Sequence, residues 1–229
     1  MTVHLSPRLQ RIADYVPQGS TVWDVGTDHA YIPIYLLQSG ISARAYASDL
    51  REGPLQNARR DAELSGVAEQ LTLRRCDGLS ASSGEEADTL ILAGMGGETI
   101  LNILAAAPWA KEKRCILQPQ TKFTELRRYL AQSGQCIRDA SLAYDTGRIY
   151  LIWLVEPGQM DPECVIDRAL LEKRDPLLAP YTEDRIKRLR KQLSGLERAA
   201  ARDDALLGQL RSELEELTKI HREVKSWLG

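Results

Sequence analysis

Residues that could bind a nucleotide-type cofactor recur in the first half of the sequence, each time directly after an apolar run. Gly26 follows the first run, Asp49 follows the second, and Asp77 and Gly78 follow the third. Such a cofactor needs a turn that backbone can approach closely, a helix N-terminus, and an acid that accepts hydrogen bonds from ribose hydroxyls. Gly26, the helical pattern that begins near Tyr31, and Asp49 supply these three features in order.

The turn after Gly26 departs from the dinucleotide-binding pattern, and the departure discriminates between cofactors. Gly26 and Asp49 are 23 residues apart, close to the roughly 20 of that pattern, but Asp28 and Ala30 occupy positions where further glycines are expected. An acid at a helix N-terminus repels a pyrophosphate and tolerates a cationic amino acid tail. The residues therefore favour S-adenosylmethionine over NAD, with Asp77 placed to accept from the adenine amino group.

These turns need a scaffold that brings several strand ends to one edge. Ser6 and Pro7 are typical of the start of a first helix. The predicted strands are 21–25, 43–48, 71–75, 88–93, 114–117, 136–144 and 149–155, and the predicted intervening helices are 31–38, 52–64, one around 100–104, and 124–132. Strands that alternate with helices predict a mostly parallel sheet covered on both faces. Seven strands that end in an antiparallel hairpin resemble the class I methyltransferase, Rossmann-like variant of the α/β class.

The sequence changes character after Pro157 and Gly158. Apolar residues recur at spacings of three and four from Ile186 to Ala200 and again from Leu206 to Leu228. This pattern predicts an antiparallel, coiled-coil-like helical hairpin, and Thr182, followed by two acids, is the predicted start of its first helix. We expect two domains, a cofactor-binding methyltransferase domain at 1–158 and an α-helical domain at 159–229.

Five short motifs carry a resemblance to a known family. They are Asp24-Val25-Gly26-Thr27-Asp28-His29-Ala30, Asp77-Gly78-Leu79, Ala93-Gly94-Met95-Gly96-Gly97, Leu117-Gln118-Pro119-Gln120 and Gly147-Arg148-Ile149-Tyr150. Together they closely resemble the bacterial TrmK family of tRNA (adenine-N1)-methyltransferases, which act on the adenine at position 22. The resemblance covers essentially the whole chain and implies an S-adenosylmethionine-dependent domain, a coiled-coil-like appendage and tRNA as substrate.

The same resemblance implies roles for individual residues. The implied cofactor contacts are Gly26, Thr27, Asp28 and His29 at the methionine end, Asp49 and Leu50 at the ribose, Asp77 and Gly78 at the adenine, and Gly94 and Met95 from the fourth turn. Tyr31, Gly96 and Gly97 are the candidate contacts of the target base. Other nitrogen methyltransferases keep an Asn or Asp, two prolines and an aromatic where this chain has Gly94-Met95-Gly96-Gly97. The base contacts therefore stay open, because backbone can do there what a side chain does elsewhere.

Asp28 and His29 are the candidate catalytic residues. Adenine N1 keeps an in-plane lone pair, so no proton must leave before methyl transfer, and the product ring is cationic. Catalysis then consists mostly of positioning, with an acid that stabilises developing positive charge. Asp28 is the candidate acid, oriented by His29; the alternative is that Asp28 caps a helix and His29 packs under the cofactor. A base extruded from tRNA has Tyr31, Met95 and Trp109 as candidate stacking partners, each equally compatible with a role in the core.

The clearest charge asymmetry lies in the C-terminal region. Residues 185–202 hold seven Lys and Arg against Glu197 alone, a net of +6, whereas residues 203–216 have a net charge of -4. One interpretation is a phosphate-binding face that includes Arg188 and Lys191. The other is charge pairing within the hairpin.

Composition narrows the remaining possibilities. A formal net charge of -2 excludes binding of nucleic acid by bulk charge alone. The four cysteines are widely spaced without a CxxC pair, which favours buried, reduced thiols over zinc or disulfides. No signal-peptide core or membrane-length apolar run is present, so we expect a cytoplasmic monomer with no metal and no membrane partner. A same-fold methyltransferase of small molecules or proteins, and a non-catalytic RNA-binding protein, are the alternative functions.

Overall fold

The computed structural model describes residues 1–198 and 203–227. These form two compact units, Met1–Pro162 and Glu163–Gly229. Ala200, Arg202 and Leu228, which the sequence analysis placed in the basic stretch or the apolar seam, lie outside the described residues. Within the described part of the chain, no helix is long and apolar enough to cross a membrane.

The first unit alternates strands with helices, as the sequence predicts. Its strands are β1 (Val22–Val25), β2 (Ala45–Asp49), β3 (Leu71–Arg75), β4 (Thr89–Met95), β5 (Arg114–Pro119), β6 (Gln135–Asp145) and β7 (Arg148–Pro157). Its α-helices are α1 (Pro7–Ala13), α2 (Tyr31–Gln38), α3 (Glu52–Leu64), α4 (Gly97–Ala106) and α5 (Phe123–Gln132), and a 3-10 helix, Pro108–Glu112, precedes β5. Ser6 precedes α1 as its N-cap residue, but its hydroxyl donates to Asp145 (2.6 Å) instead of capping the helix.

The seven strands form one mixed sheet in the order β3-β2-β1-β4-β5-β7-β6. Strands β1 to β5 pair in parallel with one another, and β7 is antiparallel to both β5 and β6. This confirms the predicted class I methyltransferase fold with its closing hairpin. The strand order reverses between β1 and β4, so the carboxyl ends of these two strands border the crevice where open α/β sheets bind ligands.

Strand β1 is a fully buried interior strand of this sheet, between β2 and β4. All four of its residues are buried, as expected for a strand covered on both faces. The Trp23 indole donates to Ser48 Oγ on β2 (3.0 Å) and stacks on the Tyr46 ring at a centroid distance of 5.1 Å. The turn that follows β1 is therefore attached to a rigid support.

The second unit contains α6 (Arg168–Glu172), α7 (Leu178–Glu197) and α8 (Asp204–Ser226). Helices α7 and α8 pack against each other and confirm the predicted helical hairpin. Their buried apolar residues include Ile186, Leu189, Leu193, Leu207, Leu210 and Leu217. Asp203 caps α8, because its carboxylate accepts a hydrogen bond from the Leu206 amide at 3.0 Å.

Two local predictions about this region were wrong, and one element was missed. Thr182 does not start α7, which begins four residues earlier at Leu178. Its hydroxyl is fully buried, donates to the Leu178 carbonyl (2.9 Å) and lies 2.8 Å from His221 Nδ1, so burial against α8 outweighs the preference of threonine for caps. The short helix α6 was not predicted. Cys164 is exposed, whereas Cys115 and Cys136 are buried as expected.

Candidate active site

The first turn of the site follows β1 and depends on Gly26. Gly26 has a positive φ of 75°, and the amides of Gly26 and Thr27 both donate to the Ser48 carbonyl, at 2.8 and 3.0 Å. A Cβ at Gly26 would lie 2.9 Å from Met95 Cε. Glycine thus allows both the left-handed backbone and the close approach of the β1 turn to the β4 turn.

Asp24 lies beneath this turn and was not among the predicted site residues. It is only 8% exposed. Burial raises the pKa of its carboxyl to about 7, although a hydrogen bond with Thr27 and the charge of Arg8 both act to lower the pKa. An acid at the end of an otherwise apolar strand is the sequence signal that identifies it. A carboxyl that ionises near neutral pH beside a ligand crevice is a candidate partner for a cationic group.

The polar turn ends in an unusual helix start. Ala30 precedes α2 in the left-handed conformation, with φ 51° and ψ 34°, and its amide donates to Thr27 Oγ1 at 3.0 Å. Thr27 therefore supplies the hydrogen bond that stabilises this turn. The alternative in which Asp28 caps α2 is wrong, and the Asp28 side chain is 71% exposed at the rim of the crevice.

His29 is oriented by Asp61, a residue that the sequence analysis did not identify. Its Nδ1 lies 2.7 Å from Asp61 Oδ2 on α3, whereas its Nε2 is 3.7 Å from Asp28 Oδ2. Burial acts to raise the pKa of Asp61, but hydrogen bonds from His29 and Arg60 outweigh it and lower that pKa. An ionised Asp61 accepts from Nδ1–H and fixes the imidazole. The imidazole in turn stacks on the Tyr31 ring, with centroids 4.9 Å apart and planes within 9°.

The predicted ribose and adenine residues follow the next two strands. Asp49 ends β2, and its Oδ1 accepts from the Arg51 amide at 2.7 Å. Asp77 and Gly78 come directly after β3, which pairs in parallel with β2. Gly78 has a φ of 55°, and a Cβ there would lie 2.9 Å from Ile103 on α4. Leu50, also predicted, is 62% exposed beside Asp49.

The fourth turn contains a β-bulge centred on Gly94. Ala93 pairs with Gln118 and Met95 pairs with Pro119, so Gly94 is the extra residue, with φ 79°. Farther along, the Gly97 amide donates to the Thr121 carbonyl at 3.0 Å. A Cβ at Gly97 would overlap that carbonyl and lie 2.9 Å from the Lys122 carbonyl. Close main-chain packing at Gly97 therefore leaves no room for a side chain at this position of the fourth turn.

Two of the three predicted stacking partners lie at this carboxyl edge. Tyr31 is 38% exposed at the start of α2, and Met95 is partly buried at the end of β4. Trp109 instead lies in the 3-10 helix before β5, with its ring against Gly84. It is thus near the amino end of the strands, and its prediction as a base partner was wrong because periodicity does not tell which edge of a sheet a loop residue reaches.

The basic stretch on α7 is partly paired and partly free. Arg185 donates to the Val165 carbonyl (2.6 Å) and pairs with Glu213 on α8 (2.5 Å). Lys187 and Arg188 pair with the acids four residues before them, Glu183 and Asp184, at 2.9 and 2.7 Å. Of the cations at 185–198, Arg190, Lys191 and Arg198 are exposed and have no ionic partner among residues 1–198 and 203–227. Charge pairing thus accounts for Arg185, Lys187 and Arg188, and a phosphate-binding face on the remaining cations stays a prediction.

The described residues contain no cluster of three or more His, Cys, Asp or Glu side chains that could hold a metal ion. The candidate site consists of four turns at one edge of the sheet. Three of these turns carry acids, and the fourth contains glycine backbone.

Comparison with known proteins agrees with this geometry. A family model described as "Methyltransferase domain" matches residues 5–153. The tRNA (adenine(22)-N(1))-methyltransferase of Bacillus subtilis is 35% identical over 159 residues, which cover 69% of this chain and 67% of that protein. The chain belongs to the TrmK family.

Solved structures extend the TrmK match to nearly the whole chain. Streptococcus pneumoniae Sp1610, solved in complex with S-adenosyl-L-methionine, is 28% identical with a TM-score of 0.83 and covers 95% of this chain and 100% of that one. M. capricolum TrmK, solved with S-adenosyl-homocysteine, is 25% identical with a TM-score of 0.76 and covers 96% of this chain and 98% of its own. These matches cover both units of this chain, and the two related proteins were solved with the cofactor or with its product.

Proposed function

We propose that this protein transfers the methyl group of S-adenosylmethionine to N1 of adenine 22 in tRNA. The observation that carries the proposal is the carboxyl edge of the sheet, where acids follow β1, β2 and β3 and a glycine turn follows β4. The B. subtilis relative is named for this reaction, and the S. pneumoniae and M. capricolum relatives were solved with the cofactor or its product.

The residues present fit this cofactor. Asp24 and Asp28 offer negative charge to a cationic amino acid tail, Asp49 accepts from ribose hydroxyls, and Asp77 accepts from the adenine amino group. The other proposed cofactor contacts are Gly26, Thr27, His29, Leu50, Gly78, Gly94 and Met95. When bound, S-adenosylmethionine supplies an electrophilic methyl group on a sulfonium.

Catalysis in this proposal depends on positioning and on one acid. Gly96, Gly97 and Tyr31 hold the extruded adenine so that its N1 lone pair faces the methyl group. Asp28 stabilises the positive charge that develops on the ring. Asp61 fixes His29, and the His29 imidazole supports the Tyr31 ring by stacking.

The reaction is tested by incubating the protein with labelled S-adenosylmethionine and unmodified tRNA, followed by mass spectrometric mapping of the product. We expect one methyl group per tRNA, at N1 of adenine 22, and none on a matched tRNA with guanosine at that position. Absence of label in every tRNA, together with labelling of a protein or small molecule, would establish the alternative function instead.

The role of Asp28 is tested by separating chemistry from binding. We expect Asp28→Ala to slow single-turnover methylation by about 100-fold while cofactor affinity, measured by calorimetry, changes by about threefold or less. Asp28→Asn, which keeps the shape and removes the charge, is expected to behave like Asp28→Ala. Equal losses in rate and affinity would make Asp28 a binding residue only.

We propose that Arg190 and Lys191 on α7, together with Arg198 directly after it, contact tRNA phosphates. We expect the triple variant of Arg190, Lys191 and Arg198 to alanine to reduce the slope of log affinity against log salt by about 3, one for each lost phosphate contact. Lys187→Ala is the matched control, because Lys187 is already paired with Glu183. Arg188, paired with Asp184, is expected to give an intermediate effect, and an unchanged slope in the triple variant would refute the contact.

A further inference from the structure

The Gly94 bulge is held by a polar side chain that the mechanism above does not use. Gln118, on β5, is completely buried. Its Oε1 accepts from the Gly94 amide at 3.1 Å and from Arg8 Nη1 at 2.9 Å, and its Nε2 donates to the Pro119 carbonyl at 3.2 Å. The amide of an extra residue in a bulge has no ladder partner, so Gln118 supplies one.

The partners of Gln118 allow only one orientation of its side-chain amide. The Gly94 amide and the Arg8 guanidinium are donors only, and the Pro119 carbonyl is an acceptor only. All three agree in placing Oε1 toward Gly94 and Nε2 toward Pro119, so a flipped amide would lose all three hydrogen bonds. Arg8 is itself fixed, with its guanidinium carbon 5.3 Å from the centroid of the Tyr150 ring.

The chemistry of the target base gives a reason for the hydrogen bond between the Gly94 amide and Gln118. The nucleophile is the lone pair of adenine N1, and a free N–H donor near the base would bind that lone pair and hold it away from the methyl group. The exocyclic amino group of adenine needs the opposite partner, an acceptor such as a backbone carbonyl. A fourth turn in which the Gly94 amide is already occupied by Gln118 therefore suits this base.

We propose that Gln118, locked by Arg8, is a positioning residue that keeps the Gly94 amide away from adenine N1. The inference rests on the proposed function, because it places the target base at the fourth turn. Gln118 acts through Gly94 and does not touch the base.

The test compares Gln118→Met with Gln118→Glu in the full chain. Methionine has a similar shape without the acceptor, whereas glutamate keeps acceptor oxygens for Gly94 and Arg8. We expect Gln118→Met to slow single-turnover methylation by about 10- to 100-fold at saturating cofactor and tRNA, and Gln118→Glu to stay within about fivefold of the wild type. Cofactor affinity is expected to be unchanged in both. Arg8→Lys, which keeps a donor, is expected to retain more activity than Arg8→Met.

A modified tRNA separates this role from a merely structural one. In 1-deazaadenosine, a C–H group replaces N1. We expect the affinity of Gln118→Met for tRNA with adenosine at position 22 to rise relative to its affinity for 1-deazaadenosine tRNA, because the released Gly94 amide binds N1. An unchanged methylation rate in Gln118→Met, or a parallel loss of rate and of both affinities, would overturn the inference. A wild-type protein that does not methylate adenine N1 would refute the proposed function instead.

Discussion

The two halves of the carboxyl edge are built from different chemistry. The half formed by β1, β2 and β3 presents carboxylates, namely Asp24, Asp28, Asp49 and Asp77. The half formed by β4 and β5 consists of glycine backbone at Gly94 and Gly97, supported by the buried neutral amide of Gln118. The first half suits a cationic cofactor with ribose hydroxyls, and the second suits a neutral base.

This difference explains why the two halves tolerate change differently. A carboxylate contributes through charge and hydrogen bonds that an amide only partly replaces. A backbone surface contributes through shape, so any added atom must displace main chain. We therefore expect variants of Asp24, Asp49 and Asp77 to affect cofactor affinity and variants of the second half to affect folding and transfer. Asp28, which is exposed at the rim, is the exception in the first half, because its proposed role is in transfer.

The largest effect is expected from Gly97→Ala. Its Cβ would overlap the Thr121 carbonyl, and main chain cannot give way as a flexible side chain can. We expect the free energy of unfolding in urea to fall by about 3 kcal/mol, with methylation lost. Gly53→Ala is the matched control, because a Cβ there meets nothing within 4 Å, and stability equal to that control would show that the second half is not shape-limited.

A smaller effect is expected from Asp49→Asn in the first half. Loss of a charge-assisted hydrogen bond to ribose costs about 1.5 to 3 kcal/mol, which corresponds to roughly 10- to 100-fold weaker cofactor binding by calorimetry. Affinity for tRNA is expected to stay unchanged. Asp14→Asn, on an exposed carboxyl at the end of α1, serves as the control. Equally weakened binding of the cofactor and of tRNA would contradict the assignment of the cofactor to the first half and the base to the second.

The smallest effect is a pH dependence that arises from Asp24. Its pKa is raised from 3.8 to about 7 in the folded protein, so folding favours the protonated carboxyl and this contribution to stability is lost as pH rises through 7. A cationic cofactor tail favours the ionised form. We expect cofactor affinity to rise about tenfold between pH 6 and pH 8 and Asp24→Asn to abolish this rise. 5′-Methylthioadenosine, which lacks the tail, is expected to show none; an identical rise with that ligand would contradict the assignment.

The local pattern of apolar and polar residues predicted the fold well, because each helix and each strand has its own characteristic spacing of apolar residues. Helix α2 and helix α3 have the predicted bounds, and so does β3. Acids and glycines at strand ends also marked the four turns, because parallel strands bring such residues to one edge. Thr182 shows the limit of this approach, since its preference for a cap was outweighed by burial against a helix that lies 39 residues away in sequence at His221.

The supports of the site could not be predicted in this way. Asp61 contacts His29 across 32 residues, and Gln118 contacts Arg8 across 110. No spacing rule links such positions, because the contacts depend on how α3 and α1 pack on the sheet. The sequence likewise did not distinguish free from paired cations on α7. The acids that neutralise Lys187 and Arg188 are Glu183 and Asp184, which lie just before the basic stretch 185–202.

The contact between Arg8 and Gln118 also has a consequence for synthesis on the ribosome. Arg8 is made 110 residues before its partner Gln118, and Tyr150 follows later still, so both contacts form only after most of the first unit has been translated. Contacts between distant parts of a chain form slowly, because a long loop must close first. During translation the half of the edge formed by β1, β2 and β3 can therefore assemble before the half formed by β4 and β5 is completed. With the proposed assignment of the two halves, the nascent chain acquires the place for its cofactor before the place for its substrate.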